Sequence, residues 1–168
     1  MTTPSLTEQL RLPEGPVDLT AYDARATPGF DGDKSDGKEA LADLGDALAD
    51  LQERLFAEGI SGGRRSVLLV LQGMDTSGKG GIMRHVVGSV DPQGVDLTAF
   101  KAPTAEERSH PFLWRIRKAL PGPGMIGVFD RSHYEDVLVV RVHDLVPPAQ
   151  WKRRYATIND FEQGLVED

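Results

Sequence analysis

The chain has 168 residues, a length typical of one domain, and 39% of them are hydrophobic, which is enough for a core. It contains no cysteine, which excludes disulfides, zinc–thiolate sites and thiol nucleophiles. The net charge is −7, but residues 1–60 carry a balance of −8 and residues 61–168 a balance of +1. The second part is therefore open to an anionic ligand, although it lacks the strongly basic character of a nucleic-acid-binding domain.

Neither an apolar run long enough to span a bilayer nor a secretory signal is found, so we expect a cytoplasmic protein without a membrane partner. Residues 1–37 are rich in proline, glycine and aspartate, which predicts an extended or loop-like segment. A helix of about 20 residues is then predicted by leucines at alternating spacings of three and four, namely Leu41, Leu44, Leu48, Leu51 and Leu55. This leucine stripe would pack on the domain's own sheet or, alternatively, form a seam between two chains.

Three strands are predicted after this helix. The chain is therefore divided into an N-terminal region, 1–62, and a core, 63–168. The strands are Ser66–Gln72, Val95–Phe100 and Met125–Phe129, and the first has the near-continuous apolar character of a strand buried on both faces of a parallel sheet. Helices are predicted from Gly78 to about Gly88, and from about Ala149 to Leu165. Strands alternating with helices predict an α/β fold with a mostly parallel sheet.

Another helix is predicted between the second and third strands. Thr104 and Glu107 form a capping-box pattern that would open it, and it would run to about Leu120. Pro111 lies inside this range and predicts a kink or a late start.

The segment after the first strand matches the phosphate-loop pattern G-x-x-x-x-G-K. It follows a buried strand and opens a helix, so backbone N–H groups of the turn would point at phosphates and Lys79 would add a mobile charge. The alternative is a glycine-rich turn with a solvated lysine. The predicted phosphate-binding residues are Gly73, Thr76, Ser77, Gly78, Lys79, Gly80, Gly81 and Arg84.

Gly80 occupies the position where the pattern normally has a serine or threonine that holds magnesium. Asp75 offers a carboxylate inside the loop instead, and Asp130 follows the third strand at the same edge of the sheet. Two carboxylates beside phosphates would repel them unless divalent cations lay between. This pair favours magnesium-dependent phosphoryl transfer over passive anion binding.

A run of polar residues from Arg131 to Asp136 follows Asp130, and Lys101 ends the second strand. At the ligand edge of a parallel sheet such residues face a ligand or make local caps, and an ordinary surface turn is the alternative. His133 and Tyr134 are the weakest candidates, because each could equally pack against a neighbouring element.

Four motifs, GMDTSGKGG, FKAPT, HPFLWRIR and FDRSHYEDVLVVRVH, closely resemble those of the polyphosphate kinase 2 family in order and spacing. The upstream stretch TPGFDGDKSDGKEALADL is similar to the family's N-terminal region, so the resemblance runs from about Pro13 to Asp168. It implies a P-loop-like, three-layer α/β/α fold. It also implies Mg²⁺-dependent transfer of a terminal phosphoryl group between inorganic polyphosphate and a nucleotide, and a homo-oligomer.

The resemblance also implies roles for individual residues. The expected catalytic residues are Asp75, Lys79, Asp130 and Arg131, with Asp75 and Asp130 organising magnesium and Arg131 neutralising charge on the transferred group. Residues expected near the nucleotide are Lys101, Ser132, Glu135 and Asp136. The wording FDRSHYED resembles the subgroup that accepts both nucleoside mono- and diphosphates.

Fewer strands are predicted than a P-loop kinase core has, because such a core commonly has five parallel strands with the phosphate-loop strand central. The later strands and the basic lid helices of the family have no counterpart, so we expect the first strand at an open edge and a partial core with little activity alone. Two other functions stay open. One is a binding or assembly module that pairs through Leu41–Leu55 or the open edge. The other is an ATP-dependent nucleoside monophosphate kinase, against which Gly80 and Asp75 argue.

Overall fold

The computed structural model describes residues 4–167. The helices are α1 (Leu6–Leu10), α2 (Lys34–Ile60), α3 (Lys79–His85), α4 (Ala105–Arg108), α5 (Trp114–Lys118), α6 (Glu135–Val142) and α7 (Pro148–Glu167). The strands are β1 (Val67–Leu71), β2 (Val95–Ala99) and β3 (Ile126–Asp130). The chain divides into two compact units, Met1–Leu44 and Gly45–Asp168, and the boundary in the sequence falls within α2. None of the helices in residues 4–167 is long and apolar enough to cross a bilayer.

The N-terminal segment contains more helix than the sequence predicted. Residues 1–3 lie outside the described part, but α1 follows at Leu6 and α2 already begins at Lys34. Ser5 caps α1, accepting from the backbone N–H of Glu8 at 3.3 Å, and the Glu8 carboxylate accepts from the Ser5 N–H at 2.7 Å. The prediction of a wholly loop-like segment is therefore wrong, because a local capping box needs no apolar periodicity.

The leucine stripe of α2 is only partly buried. Leu41, Leu44 and Leu51 are exposed, Leu48 and Leu55 are half-buried, and Gln52 is the residue of α2 that is buried. The Gln52 side chain accepts a hydrogen bond from the N–H of Asp91 at 3.3 Å. The most buried position of α2 is thus taken by an amide group that hydrogen-bonds the next segment, and not by a leucine of the stripe.

The three strands form one parallel sheet in the order β1-β3-β2, so β3 is central among the described strands. Val67 pairs with Ile126 and Leu71 with Asp130, while β2 pairs with the other side of β3 from Val95 onward. All three predicted strands and the parallel α/β fold are confirmed. As predicted, β1 lies at an edge of the described sheet. Its burial on both faces is only partial, because Leu71 is buried but Val67 is 49% exposed.

The central strand carries the core. Val128 and Phe129 are both fully buried, and because neighbouring strand residues point to opposite faces, both faces of β3 are covered. On the face of Phe129, the rings of Phe100 and Phe129 meet edge to face with centroids 4.8 Å apart. The apolar cluster on this side brings α5 and α7 onto the sheet and comprises Phe100, Leu113, Ile116, Phe129 and Phe161.

The helices of the core follow the predictions with one omission. The Thr104 capping box is present, and the helix after it is split into α4 and α5 around Pro111, as the proline predicted. The last helix also occurs. Helix α6 was not predicted, because its sequence EDVLVVRV is rich in β-branched valine and has no clear period.

Helix α2 approaches the turn before β3 so closely that there is no room for a side chain. A Cβ at Gly59 would lie 2.6 Å from the Cα of Gly124 and 2.7 Å from the carbonyl oxygen of Pro123. We expect Gly59→Ala to lower the free energy of unfolding by about 1–3 kcal/mol, because backbone atoms must shift. The matched control, Gly164→Ala in α7, meets nothing within 4 Å and should raise it by about 0.5–1 kcal/mol. Urea unfolding measures both, and equal effects would contradict the packing argument.

Candidate functional site

The loop between β1 and α3 is tightly wound. A Cβ at Gly73 would lie 2.6 Å from the Oγ atom of Ser77, so a side chain at this position would displace the Ser77 hydroxyl. Thr76 and Gly78 both adopt left-handed backbone conformations, with φ of 66° and 96°. For Thr76 this conformation costs free energy, and such strain is concentrated where a backbone must present its N–H groups in a fixed direction.

Lys79 lies at the start of α3 and closes the loop. Its ammonium group donates hydrogen bonds to the carbonyl oxygens of Gly73 at 2.7 Å and Met74 at 2.8 Å. A cation is thereby held at the entrance of the glycine-rich turn. A Cβ at Gly80 or Gly81 would meet nothing within 4 Å. There is therefore room for a serine or threonine at position 80, and crowding does not explain the glycine.

The turn after β3 meets this loop from the neighbouring strand. Asp130 pairs with Leu71 across the sheet, and the N–H of Arg131 donates to the carbonyl oxygen of Leu71 at 3.0 Å. Arg131 also has a left-handed backbone, with φ of 66°. Its guanidinium lies 3.2 Å from the Asp75 carboxylate and 3.7 Å from that of Glu135. Arg131, which lies in the turn after β3, therefore joins this turn to the phosphate loop.

Gln72, the last residue before Gly73, makes a second connection between the same two segments. Its amide nitrogen donates to the Glu135 carboxylate at 2.9 Å, and its amide oxygen accepts from the Ser132 hydroxyl at 3.2 Å. The Ser132 hydroxyl in turn accepts from the N–H of Tyr134 at 3.2 Å. Sequence reasoning missed Gln72 because it was assigned to the end of a strand. The amide directly before the phosphate loop was the available signal.

His133 and Tyr134 tie this turn to α7. His133 is 1% exposed, and its Nε2 atom lies 2.9 Å from the carboxylate of Glu162, to which the Tyr134 hydroxyl also donates. The His133 ring packs edge-on against Phe161. Both residues thus pack against a neighbouring element, which was the alternative considered for them.

Burial and the Glu162 carboxylate raise the pKa of Tyr134 to about 12 from an ordinary value of 10. Because the folded protein holds this proton more tightly than the unfolded chain, the stabilisation is complete below pH 10 and is lost as the pH rises towards 12. We expect Tyr134→Phe to abolish the absorbance step of phenolate formation near pH 12 and to make stability less pH-dependent between pH 10 and 12. An unchanged titration curve would contradict this environment.

A cavity of about 830 Å³ opens beside the turn, at the carboxyl ends of β2 and β3. One wall is polar and the other is apolar. The polar wall contains Lys101, Asp130, Arg131, Glu135 and Asp136. The apolar wall, from α6 and the segment after it, contains Val139, Val140, Leu145 and Val146. A smaller cleft of about 360 Å³ lies at the phosphate loop and shares Arg131 and Glu135 with the cavity.

Asp136 lies deep in the polar wall between two arginines. Its carboxylate is 3.6 Å from the Arg115 guanidinium and 3.4 Å from that of Arg154, which also donates to the Asp136 carbonyl at 2.7 Å. Burial raises the pKa of Asp136 above its ordinary value, although both arginines act in the opposite direction. These contacts fix α5 and α7 to the start of α6, and so shape the cavity.

The phosphate loop and the turn after β3 both lie in a region that matches a known protein family. Residues 31–168 match the sequence profile described as Polyphosphate kinase 2, which covers both loops and all three strands. The chain belongs to the polyphosphate kinase 2 family. This confirms the resemblance found in the motifs.

Individual relatives in the polyphosphate kinase 2 family agree. The AMP/ADP-polyphosphate phosphotransferase of Meiothermus ruber is 44% identical over 93% of this chain, and the ADP-polyphosphate phosphotransferase of Rhodopseudomonas palustris is 41% identical over 95%. The crystal structure of polyphosphate kinase 2 from Arthrobacter aurescens superposes on 96% of this chain with a TM-score of 0.92 and 59% identity. The chain spans 57%, 58% and 56% of the length of these three proteins, respectively.

The structure brings most of the predicted polyphosphate kinase 2 site residues to one edge of the sheet. Lys101, Glu135 and Asp136 line the larger cavity. Ser132 does not, because it is fully buried and its hydroxyl contacts Gln72 and Tyr134. Arg84 is exposed on α3 and lines neither the cavity nor the cleft.

Two carboxylates of the site suit a divalent cation. Within residues 4–167, no three histidines, aspartates or glutamates converge as a ready-made metal site. Asp75 lies in the loop after β1 and Asp130 is the last residue of the paired strand β3, at the same edge, and the Asp75 side chain is 87% exposed. Carboxylate oxygens are ligands that Mg²⁺ prefers, with its other ligands coming from phosphate and water. The residues therefore fit a cation that binds together with a phosphate ligand.

Proposed function

We propose that this polyphosphate kinase 2 chain takes part in reversible phosphoryl transfer between inorganic polyphosphate and a nucleoside mono- or diphosphate, with Mg²⁺. The observation that carries the proposal is the 3.2 Å contact between Arg131 and Asp75. It joins a phosphate-binding loop to the end of the next strand, where an acceptor would lie. The names of the Meiothermus and Rhodopseudomonas relatives, which act on AMP, ADP and polyphosphate, support the substrates.

The phosphate loop would bind the end of polyphosphate or the matching product phosphates. Its backbone N–H groups and the Lys79 ammonium supply positive potential without a preference for any base. Lys79 now donates to two loop carbonyls, at 2.7 and 2.8 Å, and would exchange these for phosphate oxygens. Arg84, exposed on α3, is proposed only as an outer contact for the polymer.

The larger cavity would hold the nucleotide. Its volume of about 830 Å³ lies within the range of small-molecule sites, and its apolar wall suits a nucleobase and ribose. The phosphates would then point towards Lys101 and Arg131, next to the phosphate-loop cleft. Glu135 is held by Gln72 and Arg131, so it would orient Arg131 and accept ribose or water hydrogen bonds. Ser132 is left out of this assignment because of its burial.

The transfer requires no covalent enzyme intermediate. A terminal phosphate oxygen of the nucleotide attacks the end phosphorus of polyphosphate, and a new P–O bond forms as the bond to the bridging oxygen breaks. The bridging oxygen keeps the electron pair, so polyphosphate leaves one unit shorter. Lys79 and Arg131 stabilise the charge that spreads over the oxygens of the moving group. Asp75 and Asp130 would hold magnesium, which supplies further charge neutralisation when bound.

The decisive experiment is nucleotide formation by the 168-residue chain from long-chain polyphosphate and Mg²⁺, with AMP and ADP offered separately. Products are separated by anion-exchange chromatography. We expect slow formation of ADP from AMP and of ATP from ADP, each dependent on polyphosphate, since the chain spans only 57% of the length of the Meiothermus relative. ATP supplied with AMP in place of polyphosphate is the control, and faster turnover with ATP would replace the proposal by a nucleoside monophosphate kinase.

Binding without turnover would replace the proposal by a binding or assembly module. Polyphosphate binding is therefore measured on the same preparation. Light scattering of that preparation tests the homo-oligomer that the family resemblance implies.

A further inference from the structure

A second cavity, of about 680 Å³, lies between the α4–α5 segment and the first turns of α7. It shares an inner wall, Arg115, Asp136 and Arg154, and the rim residues Pro103 and Arg108 with the nucleotide cavity, whereas Arg153 lines only this second cavity. None of the phosphate-loop residues lines it. We call it the arginine cavity, because four of its lining residues are Arg108, Arg115, Arg153 and Arg154.

The charges of the arginine cavity are not balanced from within. Glu107 and Asp136 are its acidic residues, and both are engaged with Arg115, at 3.8 and 3.6 Å. At the rim, Arg108 donates to the carbonyl oxygen of Pro103, which leaves its charge unneutralised. Among residues 4–167, the guanidinium of Arg153 has no ion-pair or hydrogen-bond partner. Two rim arginines are therefore available to an anion.

The inner wall is also incompletely satisfied. Arg115 is 8% exposed, and its hydrogen bond joins Nη1 to the carbonyl oxygen of Lys101 at 2.8 Å. Its distance of 3.6 Å to the Asp136 Oδ2 atom exceeds a normal hydrogen bond, and that oxygen is buried without a hydrogen-bond partner. A buried guanidinium faces the cavity with donors that the protein does not fully use.

Helix α7 directs its N-terminal end at the same space. Pro147, Ala149 and Gln150 line the cavity, and the first turn of this 20-residue helix has no acidic residue. The positive end of a helix dipole is stabilised by an anion, and here the sequence supplies arginines instead. All three features, namely the N-terminal end of α7, the rim arginines and the buried Arg115, favour a negatively charged ligand.

We propose that the arginine cavity is a second anion site, which binds a small phosphate-bearing molecule independently of the phosphate loop. Arg108 and Arg153 bind the phosphate oxygens, because a guanidinium group can donate two parallel hydrogen bonds to a phosphate. The shared wall of Arg115, Asp136 and Arg154 means that occupancy of this site alters the neighbouring nucleotide cavity.

Both tryptophans of the chain are sequence neighbours of lining residues of this cavity, and neither belongs to the phosphate loop. Trp114 stacks on the lining residue His110 with ring centroids 4.0 Å apart, and Trp151 directly follows Gln150 in α7. Tryptophan fluorescence therefore reports on the arginine cavity. The phosphate-loop site is silenced separately by Lys79→Ala.

The test is a fluorescence titration of the Lys79→Ala chain with inorganic pyrophosphate at constant ionic strength. We expect a saturable change, and at least a tenfold weaker affinity when Arg153→Ala is added, because Arg153 lines the arginine cavity and not the nucleotide cavity. Arg153 is exposed, so circular dichroism should show an unchanged fold. Arg54→Ala is the matched control, because Arg54 is exposed on α2 and pairs with Asp50.

The outcomes separate this proposal from the proposed function. Binding that is weakened by Arg153→Ala and kept in Arg54→Ala supports the arginine cavity, whether or not the chain transfers phosphate. A signal that does not saturate, or that Arg54→Ala weakens equally, overturns it. Loss of all binding in Lys79→Ala alone also overturns it, because pyrophosphate would then bind at the phosphate loop.

Discussion

Lys79→Ala should lower the affinity for long-chain polyphosphate at the phosphate loop by at least a hundredfold and reduce transfer to background. The ammonium group lies at the loop entrance, bound to the carbonyl oxygens of Gly73 and Met74. Removing one preorganised cationic donor from a phosphoryl-transfer site typically costs about 10²–10³ in rate. Calorimetry with polyphosphate and the nucleotide assay measure the two effects.

Two controls separate charge from loop structure in this prediction. Lys79→Arg keeps the charge and should retain more affinity than Lys79→Ala, although its larger head group fits the tight loop less well. Lys152→Ala removes an exposed lysine from α7 and should change neither quantity. Wild-type polyphosphate affinity in Lys79→Ala would exclude the loop as the polymer site.

Arg131→Ala and Arg131→Gly should both reduce transfer about 10²–10³-fold, because each removes the guanidinium that links Asp75 and Glu135. Their stabilities should differ. Arg131 has φ of 66°, a conformation that costs an L-residue roughly 1–2 kcal/mol and glycine very little. The glycine variant should therefore unfold at a higher urea concentration than the alanine variant.

The comparison works because the ion pair itself contributes little to stability. Arg131 is 41% exposed and Asp75 is 87% exposed, and such pairs are worth at most about 1 kcal/mol. A decisive contrary result would be equal stability of the two variants together with wild-type transfer in either. It would mean that neither the charge nor the backbone conformation at position 131 is used.

The sequence predicts the frame of the site well, because the frame is encoded locally. Apolar runs bounded by glycine and proline mark the three strands, and the spacing of Gly73, Gly78 and Lys79 marks the loop. The edge at which Asp75, Asp130 and Arg131 gather follows from parallel strand direction. These features require no knowledge of distant contacts.

What could not be predicted depends on contacts between segments. Gln72 reads as the end of a strand, yet its amide joins Glu135 and Ser132 across two loops. Gln52 reads as a polar position of α2, yet it is buried beside Gly94, where an added Cβ would lie 1.7 Å from its Nε2 atom. In both cases a polar side chain is fixed by a partner that no periodic pattern reveals.

The strand order affects how the chain folds during translation. β1 and β2 emerge from the ribosome first, but each pairs only with β3 in the described sheet. Until β3 has been translated, the apolar strand Val67–Leu71 has no partner, and no hairpin can form in its place because all pairings are parallel. The nascent chain must therefore carry an unpaired hydrophobic strand through much of its synthesis. We expect it to depend on ribosome-associated chaperones more than a protein of the same size built from hairpins.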